Sequence, residues 1–234
     1  MIRRQMYTAN RVRLFVLNIS ATVAKPHMRN LAIAAGWDAR SPVLVNITAP
    51  YINQIVLDAA QTFPGGITLA ISASTTVAGR RMDTAIHTRI PVTIDNLGKI
   101  AGGGSWGGSG SAAEATFGGT RQYVYGGQGG MGAGFNSDTD LVISPAQAGS
   151  SGGYSSDFPS FGGGAPAWVQ GGSGGSGGPL GGVGGWGTRG SYGGPSGTTG
   201  IVYSEYGPGA PGNYIDGNSY VTWKNTGARL GGVA

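Results

Sequence analysis

A chain of 234 residues with 48 glycines and no cysteine has no disulfide framework and no thiolate chemistry. The net charge of +5 is unevenly placed: residues 1–100 carry 11 Lys and Arg against 4 Asp and Glu, and residues 101–234 carry 4 against 6. No apolar run approaches the ~18 residues of a membrane span, and Arg11 and Arg13 break the stretch that an export signal keeps apolar, so a soluble protein or part of a soluble assembly is expected.

The basic N-terminal arm, with Arg3, Arg4, Arg11 and Arg13, comes first. Nucleic-acid binders usually add stacked aromatics or a known module to such a patch, and only Tyr7 and Phe15 lie near this one. The arm is therefore read as a dock for a partner protein, with no nucleic acid involved. From residue 11 to 100 the chain reads as strands. Val43, Val45 and Ile47 alternate with Leu44, Asn46 and Thr48; Ile67, Leu69 and Ile71 with Thr68, Ala70 and Ser72; Val92 and Ile94 with Thr93 and Asp95. This period of two predicts half-buried antiparallel strands, separated by turns at Gly36–Asp38, Ala49–Pro50, Phe63–Gly66, Gly79–Arg81 and Asp95–Gly98. The fold class expected is mainly β, a sandwich or β-roll, with Asn30–Ala35 either strand-like or a short helical turn.

Residues 101–234 hold 43 of the glycines and 16 of the 21 aromatics. Glycine runs at 102–110, 126–134, 162–164 and 171–187 alternate with richer insertions at 111–125, 135–161 and 188–206. Every third residue from Gly172 to Gly193 is glycine, which matches an extended left-handed helix of three residues per turn. Only Pro179 lies between these glycines, too little proline for collagen. The many aromatics argue against a flexible linker. Ordering each residue costs about 1–2 kcal/mol and glycine buries no side chain. Order must then come from dense backbone hydrogen bonding between neighbouring rods. The expectation is a polyglycine II helix bundle with aromatic loops, either one straight rod over 172–193 or two rods joined by a turn at Pro179-Leu180.

No reactive constellation stands out. Gly171-Gly172-Ser173-Gly174-Gly175 matches the hydrolase elbow G-x-S-x-G only in letters, since no histidine follows residue 87. The glycine runs lack the Lys-Ser/Thr of a phosphate loop. Asp83 and His87 lack a third metal ligand. Neither an enzyme nor a cofactor or metal site is expected. The insertions instead mix rigid aromatics with Ser and Gly, the chemistry of adaptable recognition surfaces. Tyr123, Tyr125, Tyr154, Phe158, Phe161, Trp168, Trp186, Arg189 and Tyr192 are the candidate binding residues, with a cover for the glycine rods as their alternative role.

Two stretches carry a resemblance. The run Val92-Thr93-Ile94-Asp95-Asn96-Leu97-Gly98-Lys99-Ile100-Ala101-Gly102-Gly103-Gly104 resembles the junction in glycine-rich bacteriophage tail adhesins and tail-tip proteins, where a last strand runs into glycine repeats. Gly217-Asn218, Val221-Thr222-Trp223, Thr226-Gly227, Arg229 and Gly231 look like their terminal motif. Phe63-Pro64-Gly65-Gly66-Ile67-Thr68-Leu69 fits their pattern too. The resemblance implies a virion component at the tail tip or tail fibre that binds a bacterial outer-surface receptor, protein or polysaccharide, and that partners other phage tail proteins. It divides the chain into a tail-attaching β domain (1–100), a glycine-rich region (101–212) and a C-terminal motif packing on the bundle (213–234). A structural fibre cap or decoration subunit is the other role implied, and both a homotrimer and a single chain folding its own bundle fit.

Overall fold

A computed structural model of the chain describes residues 13–159 and 165–234. The first strands are β1 (Phe15–Ile19) and β2 (Val23–Ala24), followed by the helix α1 (Met28–Ala34). Then come β3 (Val43–Ile47), β4 (Tyr51–Asn53), β5 (Ile55–Leu57), β6 (Ile67–Ile71), β7 (Thr76–Ala78), β8 (Ile86–Thr88), β9 (Val92–Asn96) and β10 (Lys99–Ala101). They wind as a coil. Each turn adds one strand to each sheet, so β1-β3-β6-β9, β2-β4-β7-β10 and β5-β8 are neighbours, and every pairing is parallel. The expected antiparallel strands and the sandwich or β-roll are thus corrected to a parallel coil. The reason lies in the period of two. A parallel sheet covered on both faces reads as a continuous apolar run, but here one face lines the coil and the other meets solvent, so the residues alternate as in a half-buried antiparallel sheet.

Inside the coil, like residues stack in register. Leu17, Val45, Leu69 and Ile94 form one column, and Ile19, Ile47 and Ile71 another. Ile52, Val77 and Ile100 line the second sheet, and Ile55, Leu57 and Ile86 the third, all fully buried. Each such side chain contributes about 1.5–3 kcal/mol on burial. In the first turn α1 stands where later turns have a third strand, and it buries Met28 and Ala32. The residues around Asn30–Ala35 are therefore helical.

After β10 the chain leaves the coil into the glycine-rich region, where it forms β11 (Ala113–Phe117), β12 (Thr120–Val124), β13 (Tyr154–Ser155), β14 (Trp168–Gln170), β15 (Ser191–Gly193) and β16 (Thr199–Val202). Between these strands lie six extended segments: 103–112, 125–134, 147–153, 171–179, 182–190 and 203–212. Backbone bonds of 2.7–3.2 Å join them at every third residue. Gly104, Gly107 and Gly110 of the first segment donate to Ala133, Gly130 and Gly127 of the second. Gly127, Gly130 and Ala133 donate to Gly172, Gly175 and Gly178 of the fourth, which donate back to Ser111, Gly108 and Ser105 of the first. This closes a triangle of three segments. Two more triangles share its sides, one through the fifth segment and one through the third. The sixth donates to the first from Tyr206, Gly209 and Gly212. The bonding places the segments in two rows of three, the third, fourth and fifth over the second, first and sixth.

Glycine is required where segments touch. A Cβ at Gly107 would collide with the carbonyl oxygen of Gly175, one at Gly175 with that of Gly185, and one at Gly174 with that of Gln128. Six of the eight in-phase glycines from 172 to 193 belong to two antiparallel segments, with Gly181 in the turn between them and Gly193 in β15. Gly181, at φ +64°, makes the turn after Pro179-Leu180, and Gly185 and Thr188 donate back to Ser176 and Ser173.

The chain then returns to the coil with β17 (Ile215–Asp216), β18 (Val221–Asn225) and β19 (Ala228–Leu230). They pair in parallel with β8, β9 and β10, completing the turn that β9 and β10 began. Leu230 also accepts from Gly102 N–H, so this segment touches the base of the glycine-rich region as well. Its motif has a physical basis. Arg229 lies over the rings of Tyr214 and Trp223, at 5.3 and 5.0 Å, and donates to the Tyr214 hydroxyl. The Trp223 indole donates to Asn218 at 2.9 Å. Asn96, fully buried, donates to the Thr226 carbonyl and accepts from Gly98 N–H.

Charged side chains line the seam between coil and glycine-rich region. Asp138 pairs with Lys25 at 2.6 Å and Arg80 at 3.0 Å, and Arg80 also pairs with Asp83. The Asp83 carbonyl accepts from Gly103 N–H. His87 stands with Nε2 3.7 Å from Asp83 and Nδ1 3.3 Å from Asp216, which Arg89 also holds. The Asp83 carboxylate, and Asp216 after it, raise the His87 pKa above its ordinary value against the opposing effect of burial. A raised pKa adds stability that is complete below the unfolded value of about 6.5 and is lost as pH rises through the folded value. The melting temperature is therefore expected to fall as the pH rises above about 6.5, and His87→Gln to flatten that fall; an equal fall in both proteins would exclude His87 as its source.

Candidate functional site

The path of the segments gathers three connections at one end. The first and second are joined by the β11–β12 hairpin, the third and fourth by a stretch that holds β13 and β14, and the fifth and sixth by β15 and β16. The opposite ends abut the coil: Asn53 donates to the Ser137 and Asp140 carbonyls, and Gly181 N–H to Gly102. Extended segments of about seven to ten residues hold the far connections away from the coil.

At that far end β12-β11-β16 and β13-β14-β15 form two small antiparallel sheets. Ala113, Ala115, Val124, Phe158, Ala167 and Val169 make a core between them, separate from that of the coil. This core fixes the roots of the connections. The β11–β12 turn is Gly118-Gly119, both at positive φ, the geometry that continues the twist of a two-residue hairpin. The β15–β16 connection, 194–198, is held by Thr198 N–H and Oγ1 on the Pro195 carbonyl.

The sequence-predicted residues fall into different places. Tyr123 and Tyr125 are exposed on the outer face, 5.1 Å apart edge to face, and Tyr203 joins them at 5.9 Å from Tyr123. Beneath them Glu114 is only 8% exposed, bonded by Arg121 at 2.5 Å and the Tyr203 hydroxyl at 3.3 Å. Arg121 first, and Tyr203 more weakly, hold the Glu114 pKa below the ordinary carboxylate range. Tyr154 is exposed, whereas Phe158 is turned into the small core and Trp168 is half-buried against Gly193. Trp186, Arg189 and Tyr192 lie exposed along the fifth segment and its strand. Phe161, Arg3, Arg4 and Arg11 lie outside the described residues; Arg13 is exposed beside β1. Sequence reasoning missed Tyr203, Tyr206 and Glu114, and the glycine pair at 118–119 was the signal for the hairpin. Among the described residues no group of three His, Cys, Asp or Glu side chains is placed to hold a metal.

The profile of the phage tail fibre adhesin Gp38 family matches residues 14–234. The chain belongs to that family. The adhesin binds a receptor and is not an enzyme. Among curated proteins none matches its sequence. Its fold is similar to a chain in the crystal structure of the gp37-gp38 adhesin tip complex of the bacteriophage S16 long tail fiber, at a TM-score of 0.50 and 20% identity. That match covers 95% of the adhesin and 83% of the S16 chain.

Proposed function

We propose that the adhesin sits at the tip of a long tail fibre and touches the host receptor with its three far connections. The observation that carries this is their convergence on one small core, held away from the coil by the extended segments. On this reading the six segments are polyglycine II helices. The three-residue period of their bonds supports it, and so do the glycines where segments touch. Because one chain closes its own triangles, the bundle needs no second copy.

The coil is then the attachment part, and a tail fibre protein its partner. In the S16 complex gp38 is bound to gp37, and the exposed Arg13, Leu14 and Val16 at the β1 edge of the coil offer a face for such a partner. Rigid rods suit recognition because little ordering remains to oppose binding. Phage produced without the adhesin tests this. Complete particles with tail fibres that no longer adsorb are expected; particles that fail to assemble would point to a structural cap instead.

A further inference from the structure

The fifth segment carries its larger side chains on one edge. Gly184, Gly187 and Gly190 turn inward, where a Cβ would crowd backbone of the first and fourth segments. The next phase of the three-residue repeat is Val183, Trp186, Arg189 and Tyr192. Val183 is 58% exposed, Trp186 68% and Tyr192 38%, and the Arg189 side chain 67%. At about 3.1 Å per residue along the segment, Val183, Trp186 and Arg189 follow at roughly 9 Å intervals, and Tyr192 continues the row in β15 with its ring against Gly200.

The neighbouring sixth segment completes the surface. The Trp186 ring lies over Gly207, where an added Cβ would come within 2.9 Å of it, so glycine there lets the ring lie flat. Glu205 faces Arg189 at 3.5 Å. Beside this pair is a shallow depression of about 360 Å³, lined by Arg189, Gly190, Ser191, Tyr192 and Val202.

We infer that this edge is a binding track for a linear polysaccharide of the host surface, separate from the three far connections. The inference rests on the adhesin reading and names a ligand class for a second site. Five properties point to this chemistry. Flat exposed rings stack on the C–H faces of pyranose rings, as amphipathic aromatics do wherever one partner is part apolar and part wet. Arg189 and Glu205 set donors beside an acceptor, which matches hydroxyl groups that both give and take hydrogen bonds. Their opposite charges leave the track near neutral, which suits an uncharged polyol better than a strongly charged peptide. The even spacing suits a ligand with a repeating unit, whereas the surface of a folded protein has none. The depression is shallow, so an inserted apolar anchor of the kind helix grooves take finds no pocket.

The test uses the full-length protein and surface polysaccharides freed from lipid A by mild acid, each immobilised on a biosensor. A detergent-solubilised outer-membrane porin fraction serves as the protein arm. Retention of at least one polysaccharide is expected, with a loss of at least about tenfold in affinity for Trp186→Ala and for Arg189→Glu. Exchange of residues 194–198 should leave polysaccharide affinity within about twofold. Both substitutions are on the outer edge, and an unchanged melting temperature confirms folding. Protein that blocks phage adsorption yet retains no polysaccharide would overturn the track and leave the adhesin reading standing. Retention by the porin alone, with loss on Trp186→Ala, would overturn the ligand class. Protein that neither blocks adsorption nor retains any probe would overturn both.

Discussion

Gly175→Ala is expected to destabilise the adhesin by at least about 3 kcal/mol, lowering the melting temperature by about 6–12 °C. Gly175 is buried in the fourth segment, donates to Gly108 at 2.8 Å and accepts from Gly130 at 2.8 Å. The new methyl would collide with the carbonyl oxygen of Gly185, which is backbone and cannot rotate away. To relieve the clash the fifth segment must move out, and the bonds from Gly108 to Gly185 and from Gly185 to Ser176 stretch with it. In a lattice of shared triangles the disturbance does not stay with one pair. Ser176→Ala one residue on is the control: its side chain points to solvent, and a change within about 0.5 kcal/mol is expected. Thermal melts of the two proteins check the pair. Equal, small shifts would mean that the segments pack less closely than the bonding requires.

Exchanging the β11–β12 turn and residues 194–198 for those of a family member with another host should lower adsorption to the original cells by at least about a hundredfold. That corresponds to about 3 kcal/mol, the loss of one or two well-packed contacts at a binding site. The turn hangs from Phe117 and Thr120, and residues 194–198 from Gly193 and Thr199, which are paired in strands that the small core fixes. New loops on those roots should leave the melting temperature nearly unchanged. Adsorption assays on both hosts provide the measurement. Unchanged host preference would move recognition elsewhere on the adhesin.

Much of this architecture was legible, and the failures have physical causes. The strands over 43–47, 67–71 and 92–96 were readable from their period of two, but not their direction. One face in and one face out gives the same alternation in a parallel coil as in an antiparallel sheet. The return of the C-terminal strands to β8, β9 and β10 was equally hidden, since 113 residues lie between Ala101 and Ile215 and no local signal spans them. The glycine period announced the first, second, fourth and fifth segments. It did not announce the third and sixth, where fewer positions press on the backbone of a neighbour and so fewer need glycine. Gly149 and Gly152 meet Gly174 and Gly171, while Gln147, Ala148, Ser150 and Ser151 are free to carry side chains.

The site shows the same limit. Aromatic composition pointed to Tyr123, Tyr125, Trp186 and Tyr192, which are exposed, and equally to Phe158, which fills the small core. Composition does not separate a ring that binds from a ring that packs. The phase of the repeat does better, because Val183, Trp186, Arg189 and Tyr192 share one third of the register and all four face outward.

The central claim is that rigid glycine segments present a receptor-binding end. Competition for adsorption measures it most directly: cells are saturated with purified adhesin, or with the loop-exchanged protein, and the rate of phage adsorption is then recorded. Wild-type protein should slow adsorption in proportion to its occupancy, and the loop-exchanged protein should slow it far less at the same concentration. Equal inhibition by both, or inhibition by neither, would contradict the account.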